Sequence, residues 1–328
     1  KEIFFLGFIK KMSIKLRKSF ICGIRGAKLS KNEHKFLKKN KPWGVILFQR
    51  NIININQANK LTKSIKNIFK DPYYPILIDE EGGRVSRLKN IVDNSIFSGE
   101  YFGKLYNKSK FKFNLYYKVY IEQISYVLRL IGVNINTVPV LDLKRTFSHN
   151  VIGDRSYSSN KKIINKIGNF TIEQFKLNRI GSVIKHIPGH GLSRKDTHLK
   201  LPYINNKLSY LLKNDFSIFK NKRSMFAMTA HIVFKSLDND ECVTHSKKCI
   251  SFIRKKIGFK NLIITDDISM KALKYSFKKN IIKAYKSGCN LVLHCNGNLR
   301  EMNDLAKISP KVNSFIIKKT SEFYKLLS

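Results

Sequence analysis

The sequence predicts an α/β chain, a single-domain (β/α)8 barrel of the TIM type with its active site at the C-terminal ends of the strands. Three observations predict it. Eight short apolar runs rich in Ile, Val, Leu and Phe recur along the 328 residues. The runs do not alternate with polar residues, which suits strands buried on both faces of a parallel sheet. Lys- and Asn-rich segments with helical periodicity lie between them. Strand and helix alternating eight times point to a closed barrel of typically ~250 residues, with insertions making up the rest.

The strands are expected at 20–24, 44–48, 76–79, 134–142, 182–186, 226–231, 262–266 and 290–294. Helical spacing is clearest over 31–39, 57–69, 115–130, 161–177 and 269–286. Seven Pro and 17 Gly are scattered, with no low-complexity linker, so one domain is expected over 12–328. Residues 1–11 read as an upstream extension or tail. Their apolar run at 3–9 is near the lower limit for a signal-peptide core, no A-x-A-like site follows, and Met12 offers a start.

Composition excludes several classes. Hydrophobic content of 43% with 23 Phe and 14 Tyr is too high for a disordered chain. No apolar run approaches the ~18 residues of a membrane span. The five Cys are odd in number and form no CxxC, which argues against a disulfide framework or structural zinc and fits a reducing compartment. The net charge is +41, from 63 Lys and Arg against 22 Asp and Glu. Only 13 of those cations are Arg, and Lys is spread along the whole chain beside 41 Ile and 30 Asn. A nucleic-acid site concentrates its cations and uses Arg for bidentate contacts. The pattern reads instead as coding bias toward AT-rich codons, with Lys on solvated faces and only weak attraction to polyanions. No specific nucleic-acid partner is expected.

The strand ends carry the chemistry. Gln49-Arg50, Asp79-Glu80-Glu81, Asp142, Lys185-His186, His231, Asp266-Asp267 and His294 terminate seven of the eight runs. Five of the eight His lie in or near these ends: His186, His190, His198, His231 and His294. Solvation gives no reason for ionisable groups to gather at one end of every strand.

Three motifs stand out. Asp79 through Arg87 leaves a buried strand through Gly82-Gly83. A strand-end Asp can accept from sugar hydroxyls and Arg can donate to them; an Asp–Arg pair closing a loop is the competing reading. The segment from Lys185-His186 through Gly189-His190-Gly191 to Asp196-Thr197-His198 places a carboxylate two residues from an imidazole. Such a pair orients the His and suits it to general acid/base work near pH 7. A zinc site from His186, His190 and His198 competes, but no HExxH helix is present and no metal is expected. A structural His is the third reading. Thr265-Asp266-Asp267 ends a strand in two carboxylates that leave it in opposite directions, one for the barrel mouth and one for the loop. An inward carboxylate beside an acid/base pair suits glycoside hydrolysis with retention. Magnesium binding and a helix N-cap are the alternatives.

Together these motifs resemble the β-N-acetylhexosaminidases of glycoside hydrolase family 3, the single-domain cytoplasmic enzymes of bacterial peptidoglycan recycling. The resemblance runs from about residue 20 to about residue 297. Its markers are Trp43 to Phe48, Ile78 to Arg87, Pro139 to Asp142, Ile152 to Ser156, Lys185 to His198, Met228 to His231, Thr265 to Met270 and His294 to Gly297. It implies Asp266 as nucleophile, His198 as general acid/base and Asp196 as the group that orients His198. It implies Asp79, Arg87, Arg155, Lys185 and His186 as the residues binding an N-acetylglucosamine unit, with no cofactor. Glu80 and Thr197 stand where the family commonly has Gln and Ser; Glu80 is expected to add a charge near Asp79 that weakens sugar binding. The implied reaction removes terminal β-linked N-acetylglucosamine from muropeptides. Alternatives are phosphorolysis on the same barrel, or a polyanion-binding or catalytically decayed sugar-binding role.

Overall fold

The computed structural model describes residues 14–146, 151–193 and 201–328. Eight parallel strands close a barrel in strict chain order: β1 (Lys18–Gly23), β2 (Pro42–Leu47), β3 (Ile76–Ile78), β4 (Ile135–Asn136), β5 (Gly181–Ile187), β6 (Phe226–Thr229), β7 (Leu262–Asp267) and β8 (Leu291–His294). β8 pairs back onto β1 through Phe20–Val292 and Cys22–His294, which closes the ring. All eight expected runs are strands of this barrel. The fourth departs most from expectation, since only two residues of it join the ladder. Pro139 has no N–H to donate. Beyond it the chain still follows β5, with Lys185 N donating to Pro139 O and Leu141 N to Lys185 O.

The helices are α1 (Lys31–Asn40), α2 (Ile55–Phe69), α3 (Gly99–Lys108), α4 (Lys110–Leu130), α5 (Lys161–Leu177), α6 (Leu208–Lys213), α7 (Lys247–Phe252), α8 (Phe277–Ser287), α9 (Leu299–Ile308) and α10 (Ser314–Leu327). None of those described is long and apolar enough to cross a membrane. Local chemistry sets their starts. Ser30 and Glu33 make a reciprocal capping box on α1, and Asn54, Ser98, Ser109, Asn160, Asn298 and Asn313 each accept from a first-turn N–H. The segment expected to be helical from 269 begins only at Phe277; Ser269 is bound instead to the preceding Asp267 carboxylate, in the turn that follows the strand.

Asparagine also pins the strand ends. Asn134 accepts from Ile76 N and donates to Tyr73 and Tyr74 carbonyls; Asn136 accepts from Glu80 N and donates to Glu80 O; Asn290 accepts from Ile263 N. Each side-chain amide supplies a donor or acceptor where the backbone ladder stops, so part of the Asn content has a structural use that composition alone hides.

The barrel interior is apolar and closed at the bottom. Ile21, Ile46, Leu77, Ile135, Val183, Met228, Ile264 and Leu293 fill it. Trp43 packs edge-on against Phe226, which packs against Phe323 of α10, and the Trp43 indole donates to Thr320 Oγ1 at 2.8 Å. Below this plug Arg17 is buried against Asp71, which also accepts from Tyr324 Oη at 2.6 Å, while Arg17 donates to Tyr324 Oη at 2.9 Å and lies over the Tyr74 ring. The three groups join the entry to β1, the loop before β3 and the last helix. Removing one partner of a buried pair strands the other charge, at about 3–5 kcal/mol. Asp71→Ala is therefore expected to lower unfolding free energy by that amount in denaturant titrations, and Tyr324→Phe by less, about 2–3 kcal/mol, because its hydroxyl makes two hydrogen bonds to buried charged groups.

Candidate active site

The C-terminal ends of the strands converge on one cleft of about 360 Å³. Ile46, Met228 and Leu293 from the barrel interior form its apolar floor, and Asp79, Arg87, Thr137, Arg155, Lys185, His186, His190 and Asp266 supply its polar wall.

Two irregularities in the sheet aim the key side chains. On β5, Lys185 pairs with Met228 and Ile187 with Thr229, so two steps of β5 face one step of β6. His186 is the extra residue, and Lys185 and His186 both reach the cleft although neighbours on a regular strand point to opposite faces. On β7, Ile264 pairs with Leu291 and Asp267 with Leu293, three steps against two. Asp266 faces the cleft. Asp267 turns to the loop, accepting from Ser269 N and Oγ and from Cys295 N. The two carboxylates thus divide between mouth and loop as the sequence suggests.

A buried charge network holds the glycone side of the cleft. Lys185 is 2% exposed. Its ammonium contacts Asp79 Oδ1, lies 2.5 Å from Glu81 Oε1 and donates to Thr137 Oγ1 at 3.0 Å. Glu81 takes a bidentate pair of bonds from Arg155 at 2.7 and 2.8 Å, and Asp79 accepts from Arg87 at 3.0 Å. Burial alone would raise Asp79 and Glu81; Lys185 and Arg87 hold the first well below the usual carboxylate range, and Arg155 and Lys185 hold the second down. Arg84 bridges the same loops from outside, donating to Asp154 Oδ1 at 2.7 Å and Val151 O at 2.9 Å.

Behind His186 stands Asp142, with no exposure. It accepts from His186 Nδ1 at 2.6 Å, from His186 N and from His190 N at 2.7 Å. In front, His186 Nε2 lies 3.9 Å from Asp266 Oδ2. Burial opposes ionisation of Asp266, but His186, His231 and the Asp267 N–H keep its carboxyl below the ordinary range. Among the described residues no three His, Cys, Asp or Glu side chains converge as metal ligands.

Six of the expected site residues, Asp79, Arg87, Arg155, Lys185, His186 and Asp266, line this one cleft. Asp196 and His198 lie outside the described residues. The Glu80 expectation needs correction. Its carboxylate is turned from the cleft into its own loop, accepting from Ser86 Oγ, Arg87 N, Leu88 N and Asn94 Nδ2. Although burial raises its pKa, its oxygens are committed to these four donors and turned away from the sugar side of Asp79. Sequence reasoning gave no role to Glu81, Thr137 or Asp142. Glu81 follows and Asp142 ends an expected apolar run, Thr137 lies inside one, and Asp142 also closes the Pro139 to Asp142 marker, but none of these signals assigns a role.

The family model described as Glycosyl hydrolase family 3 N terminal domain matches residues 10–320. The chain belongs to this family. It is thereby a glycoside hydrolase, and the (β/α)8 barrel is shared with solved members. A β-hexosaminidase of Thioalkalivibrio sulfidiphilus is 28% identical over 277 residues, 83% of this chain and 79% of the relative. One from Haemophilus influenzae is 28% identical over 294 residues, 85% of this chain and 79% of the relative. The crystal structure of NagZ from Neisseria gonorrhoeae in complex with N-trifluoroacetyl-D-glucosamine superposes with a TM-score of 0.81 at 26% identity, covering 94% of this chain and 89% of that one.

The buried histidines of this family 3 barrel make stability pH-dependent. Burial, helped by a neighbouring His, pushes His190 down to about 4 and His245 down to about 3, and burial also lowers His231. A His with a depressed folded pKa binds its proton more readily when unfolded. Its contribution is complete above the unfolded value of about 6.5 and is lost as pH falls toward the folded value, at up to about 1.4 kcal/mol per pH unit for each group. The urea midpoint should be level above pH 7 and fall between pH 6.5 and 4, with a shallower fall in His245→Gln. A midpoint unchanged from pH 7 to 5 would contradict neutral burial.

Proposed function

We propose that this chain is a retaining β-N-acetylglucosaminidase that removes terminal β-linked N-acetylglucosamine from muropeptides in the cytoplasm, as a monomer, during cell-wall recycling. The observation that carries the proposal is the Asp266 carboxylate in the polar wall of the cleft, in one pocket with the Asp79–Lys185–Glu81–Arg155 network. The hexosaminidase relatives and the amino-sugar ligand named for the Neisseria structure support the choice of glycone.

In this reading Asp79, Arg87, Arg155, Lys185 and His186 hold the hydroxyls and acetamido group of the sugar over an apolar floor. A carboxylate oxygen of Asp266 attacks the anomeric carbon as the glycosidic C–O bond breaks. His198, oriented by Asp196, gives its proton to the departing oxygen. Neutral His198 then takes a proton from water as that water attacks the anomeric carbon, and the glycosyl–Asp266 ester is released as carboxylate. Two displacements at one carbon give retention. His stands here where most such enzymes use a second carboxylic acid; it is neutral in the second step and does not repel an incoming nucleophile.

Release of 4-nitrophenol from its N-acetyl-β-glucosaminide tests the proposal. Wild type should turn over, Asp266→Ala should not, and a glycosyl adduct trapped with a fluorinated substrate should appear by mass spectrometry only in wild type. His198→Ala should lower kcat by roughly 10²–10⁴, the usual worth of a general acid/base, with sugar binding retained. An unchanged rate removes His198 from the mechanism. Acceleration by phosphate with sugar 1-phosphate as product would make the enzyme a phosphorylase.

A further inference from the structure

His186 is oriented from behind by a group that does not itself line the cleft. The extra residue on β5 takes the His186 N–H out of register with β6, and the Asp142 carboxylate accepts that N–H in place of a strand partner. The same carboxylate accepts from His190 N at 2.7 Å and from His186 Nδ1 at 2.6 Å. Asp142 does not appear among the residues lining the cleft. Among the described residues, the charged or titratable groups around the His186 ring include Asp142 behind, Asp266 in front, the His190 ring at 5.3 Å between centroids, and His231, close enough to interact with it electrostatically.

We propose that Asp142 is a positioning residue that fixes His186 with its hydrogen on Nδ1 and its Nε2 turned to the nucleophile side of the cleft. An ionised carboxylate only accepts, so the nitrogen 2.6 Å from it must donate. Burial would favour a neutral Asp142, but His186 and His190 hold it below the ordinary carboxylate range. With Nδ1 committed to Asp142, Nε2 is the nitrogen left to meet a glycone hydroxyl on the nucleophile side of the cleft. The role rests on Asp266 being the nucleophile. An N–H at Nε2, 3.9 Å from Asp266 Oδ2, would draw charge from the oxygen that attacks.

Asp142→Asn separates this role from simple bracing of the turn. The amide keeps an oxygen for the backbone N–H groups, but its NH2 can donate to His186 Nδ1 and reverse the tautomer. The analogous Asp-to-Asn change in serine proteases leaves geometry intact and imposes the wrong tautomer. Imidazole ¹⁵N shifts, with His186 assigned by comparison with His186→Gln, should show Nδ1–H in ligand-free wild type and Nε2–H in Asp142→Asn. On the aryl glycoside kcat should fall by on the order of 10², more than KM changes, with an unaltered circular dichroism spectrum. Nε2–H in wild type overturns the proposal, as does an Asn variant that keeps both tautomer and kcat. If the variant does not fold, the wild-type spectrum alone decides. If wild type cleaves no glycoside, the functional reading fails while the spectrum still tests the Asp142–His186 assignment.

Discussion

The barrel mouth depends on the buried ammonium of Lys185. A charge removed from water costs several kcal/mol unless opposite charge and hydrogen bonds meet it. Asp79 and Glu81 meet it directly, and each is also committed to an arginine, Arg87 or Arg155. The loop after β3 and the turn at 153–155 are thereby tied to β5 by ionic contacts. Three cations face two carboxylates there, which leaves the glycone wall slightly positive beside the anionic Asp266. Rigid, desolvated hydrogen-bonding groups of this kind need no reorganisation when a sugar arrives.

That network requires side chains that a regular sheet would send elsewhere. The bulge on β5 brings Lys185 and His186 to the same side, and the irregularity on β7 aims Asp266 inward while Asp267 braces the loop. Each irregularity also frees backbone groups, which side chains satisfy: Asp142 accepts the His186 N–H and Thr265 Oγ1 accepts the Leu293 N–H. Buried backbone donors must find acceptors somewhere. The chemistry of the site and the repair of the sheet are thus partly the same set of atoms.

The lower end of the barrel is built on a different principle. Trp43, Phe226 and Phe323 fill the bore, and Arg17, Asp71 and Tyr324 are fully dried beneath them. A packed floor closes the barrel from below, and the polar groups of the cleft line its open end. The high lysine content lies mostly outside both regions, on the solvated faces of the helices, consistent with a compositional origin.

Fold class, strand order and the chemistry-bearing strand ends with Asp79, Lys185, His186 and Asp266 follow from patterns in the chain itself, whereas Arg155 and the individual roles of the site residues come from the family resemblance. Apolar runs buried on both faces read as parallel strands, and ionisable groups at one end of each run read as a barrel mouth, because sequence spacing alone carries both signals. Asp196 and His198 rest on motif and resemblance. The roles of Glu80, Glu81 and Asp142 were not legible. Three adjacent acids after β3 look alike in the sequence, yet Asp79 faces Lys185, Glu80 folds into its own loop and Glu81 pairs with Arg155. Asp142 reaches His186, 44 residues away. Which carboxylate meets which cation is decided by register, by one extra residue in a strand and by competition for buried hydrogen bonds. Those are properties of the closed barrel, and no local pattern encodes them.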